Sequence, residues 1–157
     1  HVFSGNWKAL YAEISAFRKA CGDAHLKTIL GTGELGTFRN VAKASLVCMM
    51  AGADFIKTST GKESVNATLP VSLVMLRMIR EYFENTGFYV GFKPAGGIRT
   101  AKQSLEWLVM MKEELGREWL EPDLFRFGAS GLLTDIERQL EHFVTGRYSA
   151  AHRQPTA

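Results

Sequence analysis

The amino-acid sequence predicts an α/β protein in which parallel strands alternate with covering helices. Three observations predict this fold class. Short apolar segments rich in β-branched or aromatic residues recur four times, each runs into a polar or glycine-containing loop, and each loop leads into an amphipathic segment of helical length. The strands start roughly 30 to 36 residues apart, which is the spacing of βα units in a parallel sheet.

An amphipathic helix precedes the first strand. Asn6 is its expected N-cap, Gly22 is its expected end, and its apolar stripe consists of Trp7, Leu10, Ile14 and Phe17. The first strand, residues 26–30, runs into a loop at residues 31–33. The helix that follows covers about residues 37–51, and Gly52 closes it.

The second unit consists of a strand at residues 55–58, a polar loop at residues 59–62 and a helix at residues 70–85 that Gly87 ends. One face of this helix is apolar and carries Val71, Val74, Met75, Met78 and Tyr82. The strand itself is largely apolar, which is typical of a strand buried in a parallel sheet.

The third strand, residues 90–93, is followed by a loop at residues 94–97. Thr100 and Gln103 have the spacing of a capping box, so they predict a helix that starts there and ends before Gly116. The fourth unit comprises a strand at 124–127, a loop at 128–131 and a helix marked by Ile136, Leu140 and Phe143.

The whole chain, residues 1–157, is expected to form one domain with a loose polar tail at residues 147–157. Two architectures fit the order of elements: an open doubly wound sheet, and four of the eight units of a (β/α)₈ barrel. The strand patterns alone do not choose between them. Both architectures place functional residues at the carboxyl ends of the strands, where the candidates below lie.

The composition excludes several classes of protein. The chain has 19 Lys and Arg against 16 Asp and Glu, and two Cys without a pairing pattern, so it is neither a disulfide scaffold nor a strongly basic nucleic-acid binder. No apolar stretch is long enough to span a membrane, and His and Cys have no metal-ligand spacing. We expect a cytoplasmic protein with no metal or cofactor, no nucleic-acid or membrane partner, and a small phosphorylated ligand.

Two lysines at equivalent positions of neighbouring strands are the strongest chemical signal. Lys57 lies in the second strand and Lys93 in the third. Parallel strands lie about 4.8 Å apart, so the two ammonium groups would repel each other, and burial would disfavour them further. At least one amine should therefore have a lowered pKa and could attack a carbonyl carbon to form a Schiff base. The alternative is that each lysine packs its stem in the core and is neutralised by an acidic residue. Asp54 and Glu34 are near in sequence, but Asp54 comes three residues before Lys57 and should point to the opposite face.

Glycine-containing loops follow the same strands, and each precedes a helix. Such a loop binds anions through its main-chain N–H groups, and phosphate in (β/α)₈ barrels typically binds beyond the last two strands. The candidate phosphate contacts are Gly61, Lys62, Gly96, Gly97, Gly128 and Ser130, with Lys27 as a further residue expected at the same mouth.

The lysine-containing segments closely resemble a known enzyme family. GADFIKTSTGK at residues 52–62, residues 65–68, and GFKPAGGIRT at residues 91–100 are similar to deoxyribose-phosphate aldolases, which are class I aldolases with a (β/α)₈ barrel. Residues 26–35 and 125–130 resemble strands five and eight of that barrel. The resemblance extends over nearly the whole chain, to about Tyr148.

The resemblance implies an aldehyde-lyase that cleaves 2-deoxy-D-ribose 5-phosphate reversibly to acetaldehyde and D-glyceraldehyde 3-phosphate, in deoxyribonucleoside catabolism. It implies that Lys57 is the Schiff-base nucleophile. It further implies that Lys93 lowers the pKa of that amine and transfers protons, and that the glycine loops bind the phosphate.

Two departures from the family pattern stand out. Gly131 replaces a serine that the family often has, and the family's relay aspartate on strand four has no counterpart, because the resemblance starts after that strand. The chain therefore resembles the C-terminal half of the barrel, strands five to eight, and would need a homo-oligomer or an N-terminal half. The alternatives are a truncated, non-catalytic half-barrel that at most binds a phosphorylated ligand, and an open α/β phosphosugar-binding protein.

Overall fold

The computed structural model describes residues 1–150 and 153. The strands in this part of the chain are β1 (Lys27–Ile29), β2 (Phe55–Lys57) and β3 (Gly91–Lys93). Its helices are α1 (Trp7–Cys21), α2 (Phe38–Met50), α3 (Leu69–Thr86), α4 (Ala101–Leu115) and α5 (Leu132–Thr145), with a short 3₁₀ helix at Arg117–Leu120. The α/β class and the alternation of strands and helices are therefore confirmed.

The three strands form a parallel sheet in the order β1-β2-β3. Because crossovers between parallel strands are right-handed, strands that are neighbours in both sequence and space place their helices on the same face. A doubly wound sheet instead reverses its strand order and has helices on both faces. One half of such a sheet also has three strands in this order, but residues 125–128 add a fourth parallel segment beside β3, so the order favours the barrel architecture.

The fourth predicted strand, residues 124–127, is wrong as a regular strand. This segment lies parallel to β3 but pairs with it only through two isolated bridges, Phe92 with Phe125 and Ala95 with Gly128. The Arg126 N–H donates to the Phe92 carbonyl at 3.2 Å, and the Gly128 N–H donates to the Pro94 carbonyl at 2.8 Å. The pairing between these two bonds would need an N–H group at residue 94, which proline lacks.

The predicted N-caps Asn6 and Thr100 are confirmed, and Thr37, the predicted approximate start of α2, is a further N-cap. Asn6, Thr37 and Thr100 accept hydrogen bonds from the first turns of α1, α2 and α4, and Thr100 forms the predicted capping box with Gln103. The predicted apolar faces are less completely buried. Ile14 is buried, whereas the side chains of Phe17, Leu140 and Phe143 are 49%, 59% and 87% exposed, because the described residues place no element over them.

The face of the sheet that the helices cover holds the centre of the hydrophobic core. Ile56 of β2 and Phe92 of β3 are fully buried in one cluster with Met75 and Ile79 of α3. On the opposite face the ring of Phe55 lies over Gly91, and a Cβ atom at Gly91 would stand 2.4 Å from that ring. Glycine is therefore required at the start of β3.

The predicted tail lies partly outside the described residues. Residues 147–150 have no helix or strand, the ring of Tyr148 stacks on His142 with centroids 4.6 Å apart, and Arg153 lies 3.4 Å from the Glu141 carboxylate. The structure does not describe residues 151, 152 and 154–157. The loose tail at 147–157 and the single domain stay predictions.

Candidate active site

The two predicted lysines lie side by side at the carboxyl end of the sheet. Lys57 and Lys93 are Cα partners across β2 and β3, and both side chains are half-buried. Because side chains alternate along a strand, both point to the face that the helices leave open. Ile29 of β1 is the third member of this row.

The sheet register also decides the position of Lys27. Lys27 pairs with Phe55 rather than with Lys57, so it stands one side-chain row deeper in the sheet. Its ammonium group lies over the Phe55 ring, 4.4 Å from the centroid. A separate groove of about 300 Å³, lined by apolar side chains such as Ile14 and Leu30, includes Lys27. The charge of Lys27 also acts on Lys93, and its part in substrate binding stays a prediction.

The lysine row carries an uncompensated positive charge. Burial lowers the pKa of Lys93 from its ordinary value, and the charges of Lys57, Lys27 and Arg126 lower it further. This meets the expectation that at least one amine of the pair would have a lowered pKa. Among the residues that the structure describes, no ion pair includes Lys27, Lys57 or Lys93.

Asp54 does not neutralise the lysine pair. Its carboxylate accepts hydrogen bonds from the guanidinium of Arg18 on α1 and from the N–H of Leu26, at 2.7 Å for the latter. Arg18 also donates to the carbonyls of Gly22 and Ala24. Asp54 therefore ties α1 to the amino end of β2, three residues before Lys57, and the alternative reading of a neutralised lysine is not supported.

The six predicted phosphate contacts line one polar cavity. Its volume is about 330 Å³, and the lining comes from three loops: Thr60 to Lys62 after β2, Gly96 to Arg99 after β3, and Gly128 to Ser130. Gly61, Gly96 and Gly97 have φ near +90°, a conformation that other residues rarely adopt. The loops that the sequence placed together are therefore adjacent in the structure.

The third loop joins the cavity to the lysines. A Cβ atom at Gly128 would stand 2.6 Å from the Ala95 Cβ and 3.4 Å from the Lys93 Cε. The backbone at Gly128 thus lies against the aliphatic stem of Lys93, while the next residues line the cavity. An anion in the cavity and a group bound to the lysines would belong to one continuous site.

Two buried hydroxyl groups hold the loop after β3, and the sequence reasoning missed them. The Thr58 Oγ1 accepts a hydrogen bond from the Ala95 N–H at 2.9 Å, and the Ser59 Oγ donates to the Ala95 carbonyl at 2.6 Å. Both side chains are fully buried. A polar pair at the end of a buried strand was the available signal, because buried hydroxyls need partners.

Glu63 was also missed. Its carboxylate accepts hydrogen bonds from the N–H groups of Thr60, Gly61 and Lys62 at 2.9, 3.1 and 3.2 Å. The Thr60 hydroxyl donates to it at 2.8 Å. These bonds, led by that from the Thr60 N–H, lower the pKa of Glu63 to about 2. The spacing of Thr60 and Glu63 is that of a capping box, although no helix follows.

Within residues 1–150 and 153, no group of His, Cys, Asp and Glu side chains is arranged to hold a metal ion. Over the same residues, no helix combines the length and the apolar character that crossing a membrane requires.

The sequence of this chain is similar to those of known aldolases. Residues 2–135 match the model of the DeoC/LacD family of aldolases. Over 154 residues the chain is 71% identical to a deoxyribose-phosphate aldolase from Mus musculus and 70% identical to one from Homo sapiens. Each match covers 98% of this chain and 48% of the relative, so the chain spans about half the length of the curated relatives it matches. The matched part is their C-terminal half.

A solved structure resembles this one as well. The apo crystal structure of a Toxoplasma gondii ME49 protein, assigned as a deoxyribose-phosphate aldolase, matches with a TM-score of 0.81 at 25% identity. The match covers 90% of this chain and 55% of that one. The partial parallel sheet agrees with the barrel type of this family. With a family match over most of its length, the chain belongs to the DeoC/LacD family of aldolases.

Proposed function

We propose that the protein is a class I aldehyde-lyase that cleaves 2-deoxy-D-ribose 5-phosphate reversibly to acetaldehyde and D-glyceraldehyde 3-phosphate. The observation that carries the proposal is the in-register pair of Lys57 and Lys93. Its support is the polar cavity of three loops beside Lys93, which has room for a phosphate group and main-chain donors for it. The curated relatives named deoxyribose-phosphate aldolase agree with this substrate class.

The reaction starts at Lys57. Its free amine attacks the C1 aldehyde carbon of the open-chain sugar to give a carbinolamine. Protonation of the C1 hydroxyl and loss of water then leave an iminium ion between the Lys57 nitrogen and C1. The iminium nitrogen carries the positive charge that will accept electrons.

Cleavage then breaks the bond between C2 and C3. A base removes the proton of the C3 hydroxyl, the C3 oxygen forms a carbonyl, and the electron pair of the C2–C3 bond moves into the iminium. D-Glyceraldehyde 3-phosphate leaves, and an enamine of acetaldehyde remains on Lys57. Protonation of C2 regenerates an iminium ion, and water releases acetaldehyde and the free lysine.

Lys93 is the proposed proton carrier. Burial and its charged neighbours lower its pKa, which brings the amine closer to the range where it can both take and give a proton. It lies beside Lys57 in the register, so the proton of the C3 hydroxyl and the proton for C2 are within the same part of the site. The sugar phosphate binds in the cavity of the three loops, at Gly61, Lys62, Gly96, Gly97, Gly128 and Ser130.

The proposal extends to the setting of the enzyme. We place it in the cytoplasm, in the catabolism of deoxyribonucleosides, where the cleaved sugar phosphate arises. The curated relatives are about twice as long as this chain. The step that we propose for residues 1–157 themselves is formation of the Schiff base at Lys57.

The test is to trap the Schiff base. The chain is incubated with acetaldehyde and borohydride, and the reduced adduct is located by peptide mass. The adduct is expected on Lys57 and absent in Lys57→Met. Lys102→Met, which removes an exposed lysine of α4, should keep the adduct. A folded sample without any adduct at Lys57 contradicts the proposal and leaves the non-catalytic half-barrel that binds a phosphorylated ligand.

A further inference from the structure

The loop after β2 already holds an anion that belongs to the chain itself. The Glu63 carboxylate accepts from three successive main-chain N–H groups, those of Thr60, Gly61 and Lys62, and from the Thr60 hydroxyl. Three converging N–H groups are the donor set that backbone anion sites offer to phosphate. In the structure a carboxylate occupies this donor set.

The same loop segment lines the cavity in which the proposed function places the phosphate. Thr60, Gly61 and Lys62 belong to its lining, and a Cβ atom at Gly61 would lie only 3.7 Å from the Gly96 Cα of the next loop. A phosphate in this cavity is therefore close to donors that Glu63 uses. One N–H group does not form strong hydrogen bonds to two anions at once, and two anions on one loop repel each other.

We propose that Glu63 is an internal competitor for the substrate phosphate and thereby sets how strongly the enzyme prefers phosphorylated over unphosphorylated aldehydes. This inference rests on the proposed function, because it concerns the phosphate site of that reaction. With Glu63 bound to its loop, the phosphate relies on the loops at Gly96 to Gly97 and Gly128 to Ser130. Full use of the donors of Gly61 requires that the carboxylate leaves them.

A competing role and a structural role of Glu63 predict opposite changes in phosphate affinity when the carboxylate is removed. A carboxylate that only holds the loop in shape would help every ligand of the cavity, so its loss would weaken phosphate binding. A competing carboxylate opposes phosphate, so its loss strengthens phosphate binding. Ligands without a phosphate do not use these donors, and the competing role predicts no change for them.

The test compares the affinity for inorganic phosphate of the protein and of Glu63→Gln, by titration calorimetry at fixed ionic strength. Glu63→Gln removes the charge and keeps the shape, and phosphate should bind about fivefold more tightly, the size expected for one exposed charge interaction. The matched control is Glu113→Gln, which removes an exposed carboxylate at the far end of α4 and should leave the affinity unchanged. Thr60→Val removes one bond to Glu63 and should increase the affinity by a smaller factor.

Equal or weaker phosphate binding in Glu63→Gln and Thr60→Val, with a lower unfolding temperature, overturns the inference and makes Glu63 a loop-holding residue only. The acetaldehyde adduct at Lys57, which needs no phosphate, is measured in parallel in the unaltered protein and in Glu113→Gln, where it should be the same. If the adduct is missing in the unaltered protein, the proposed function fails, while the phosphate titration still decides the role of Glu63.

Discussion

The strands that carry the lysines and the loops that line the cavity are held in place by different forces. Ile56 and Phe92, which flank the lysines on their strands, are fully buried among core side chains. The loops depend instead on a few polar bonds, from Thr58 and Ser59 to Ala95 and from Glu63 to its own loop. The lysine positions thus share the stability of the core, whereas the loops can change without loss of the fold.

The largest effect is expected at Gly91 of β3, because the absence of a side chain there leaves room for the ring of Phe55 on β2. Gly91→Val should destabilise the fold by about 3 kcal/mol or more, because its side chain would overlap the ring of Phe55. The Cβ atom alone would stand 2.4 Å from that ring. Chemical denaturation measures the loss of unfolding free energy.

The control for this substitution is Gly131→Ala, in the loop that precedes α5. A Cβ atom at Gly131 meets nothing within 4 Å, and its φ of −94° suits any residue. The change in unfolding free energy should stay within about 0.5 kcal/mol. An equal loss of unfolding free energy in Gly91→Val and Gly131→Ala would contradict the view that the strands are tightly packed and the loops tolerate substitution.

The second prediction concerns the polar bonds that join strand β2 to the loop after β3. Thr58→Val keeps the shape of the side chain but leaves the buried Ala95 N–H without its acceptor, which should cost about 1–3 kcal/mol. Hydrogen exchange at the Ala95 amide should become faster, since the 2.9 Å bond from this amide to Thr58 is lost.

Thr58→Ser tests the cause of that effect. It retains the hydroxyl and loses only a methyl group, so exchange at Ala95 should stay close to that of the unaltered protein. If Thr58→Ser accelerates the exchange as much as Thr58→Val, then packing of the methyl group and not the hydrogen bond holds the loop.

The sequence predicts the strands and their order better than the contacts within the loops, and the reason is physical. The βα order, the caps at Thr37 and Thr100 and the pairing of Lys57 with Lys93 depend on residues close together in sequence or on a regular period. The interrupted pairing of residues 124–128 follows from Pro94, which has no N–H group to donate. Pro94 in the sequence therefore already indicates where the pairing is interrupted.

The loop contacts depend on conformation and were not predictable to the same degree. The glycine loops identify the cavity because glycine is needed where φ is positive. The path of each loop in space decides which N–H groups turn towards Glu63. It also decides that Thr58, just after β2, contacts Ala95, just after β3. Lys27 shows the same limit, since only the register places it beside Phe55 rather than beside Lys57.

The third prediction concerns the positive charge of Lys93 on β3. Burial and neighbouring charges lower the pKa of Lys93 from 10.5, so its ammonium form destabilises the folded state. This penalty is complete below the folded-state pKa and disappears as the pH rises from there to the unfolded-state value. Lys93→Met should therefore gain stability over the unaltered protein at neutral pH, and the gain should shrink as the pH approaches 10.5.

Lys93→Arg is the comparison for this experiment. Arginine keeps its charge over the whole range, so its unfolding free energy should not recover relative to Lys93→Met as the pH rises. Urea denaturation at a series of pH values above neutrality measures the three proteins. A difference between Lys93→Met and the unaltered protein that does not depend on pH would show that Lys93 carries no electrostatic penalty.

The smallest effect is expected at Glu63, because one exposed carboxylate holds only its own loop. Its bonds lower its pKa from 4.5 to about 2, so they stabilise the folded protein fully above pH 4.5 and are lost as the pH falls through about 2. The difference in unfolding free energy between the protein and Glu63→Gln should thus be constant near neutrality and shrink in that acidic window. The other carboxylates titrate in both proteins and cancel in the difference. Thr60→Val removes a donor to Glu63 and should raise its folded-state pKa, so the loss should be complete at a higher pH. A difference that stays constant into acid would mean that the loop, unlike the strands beneath it, needs no charge to keep its shape.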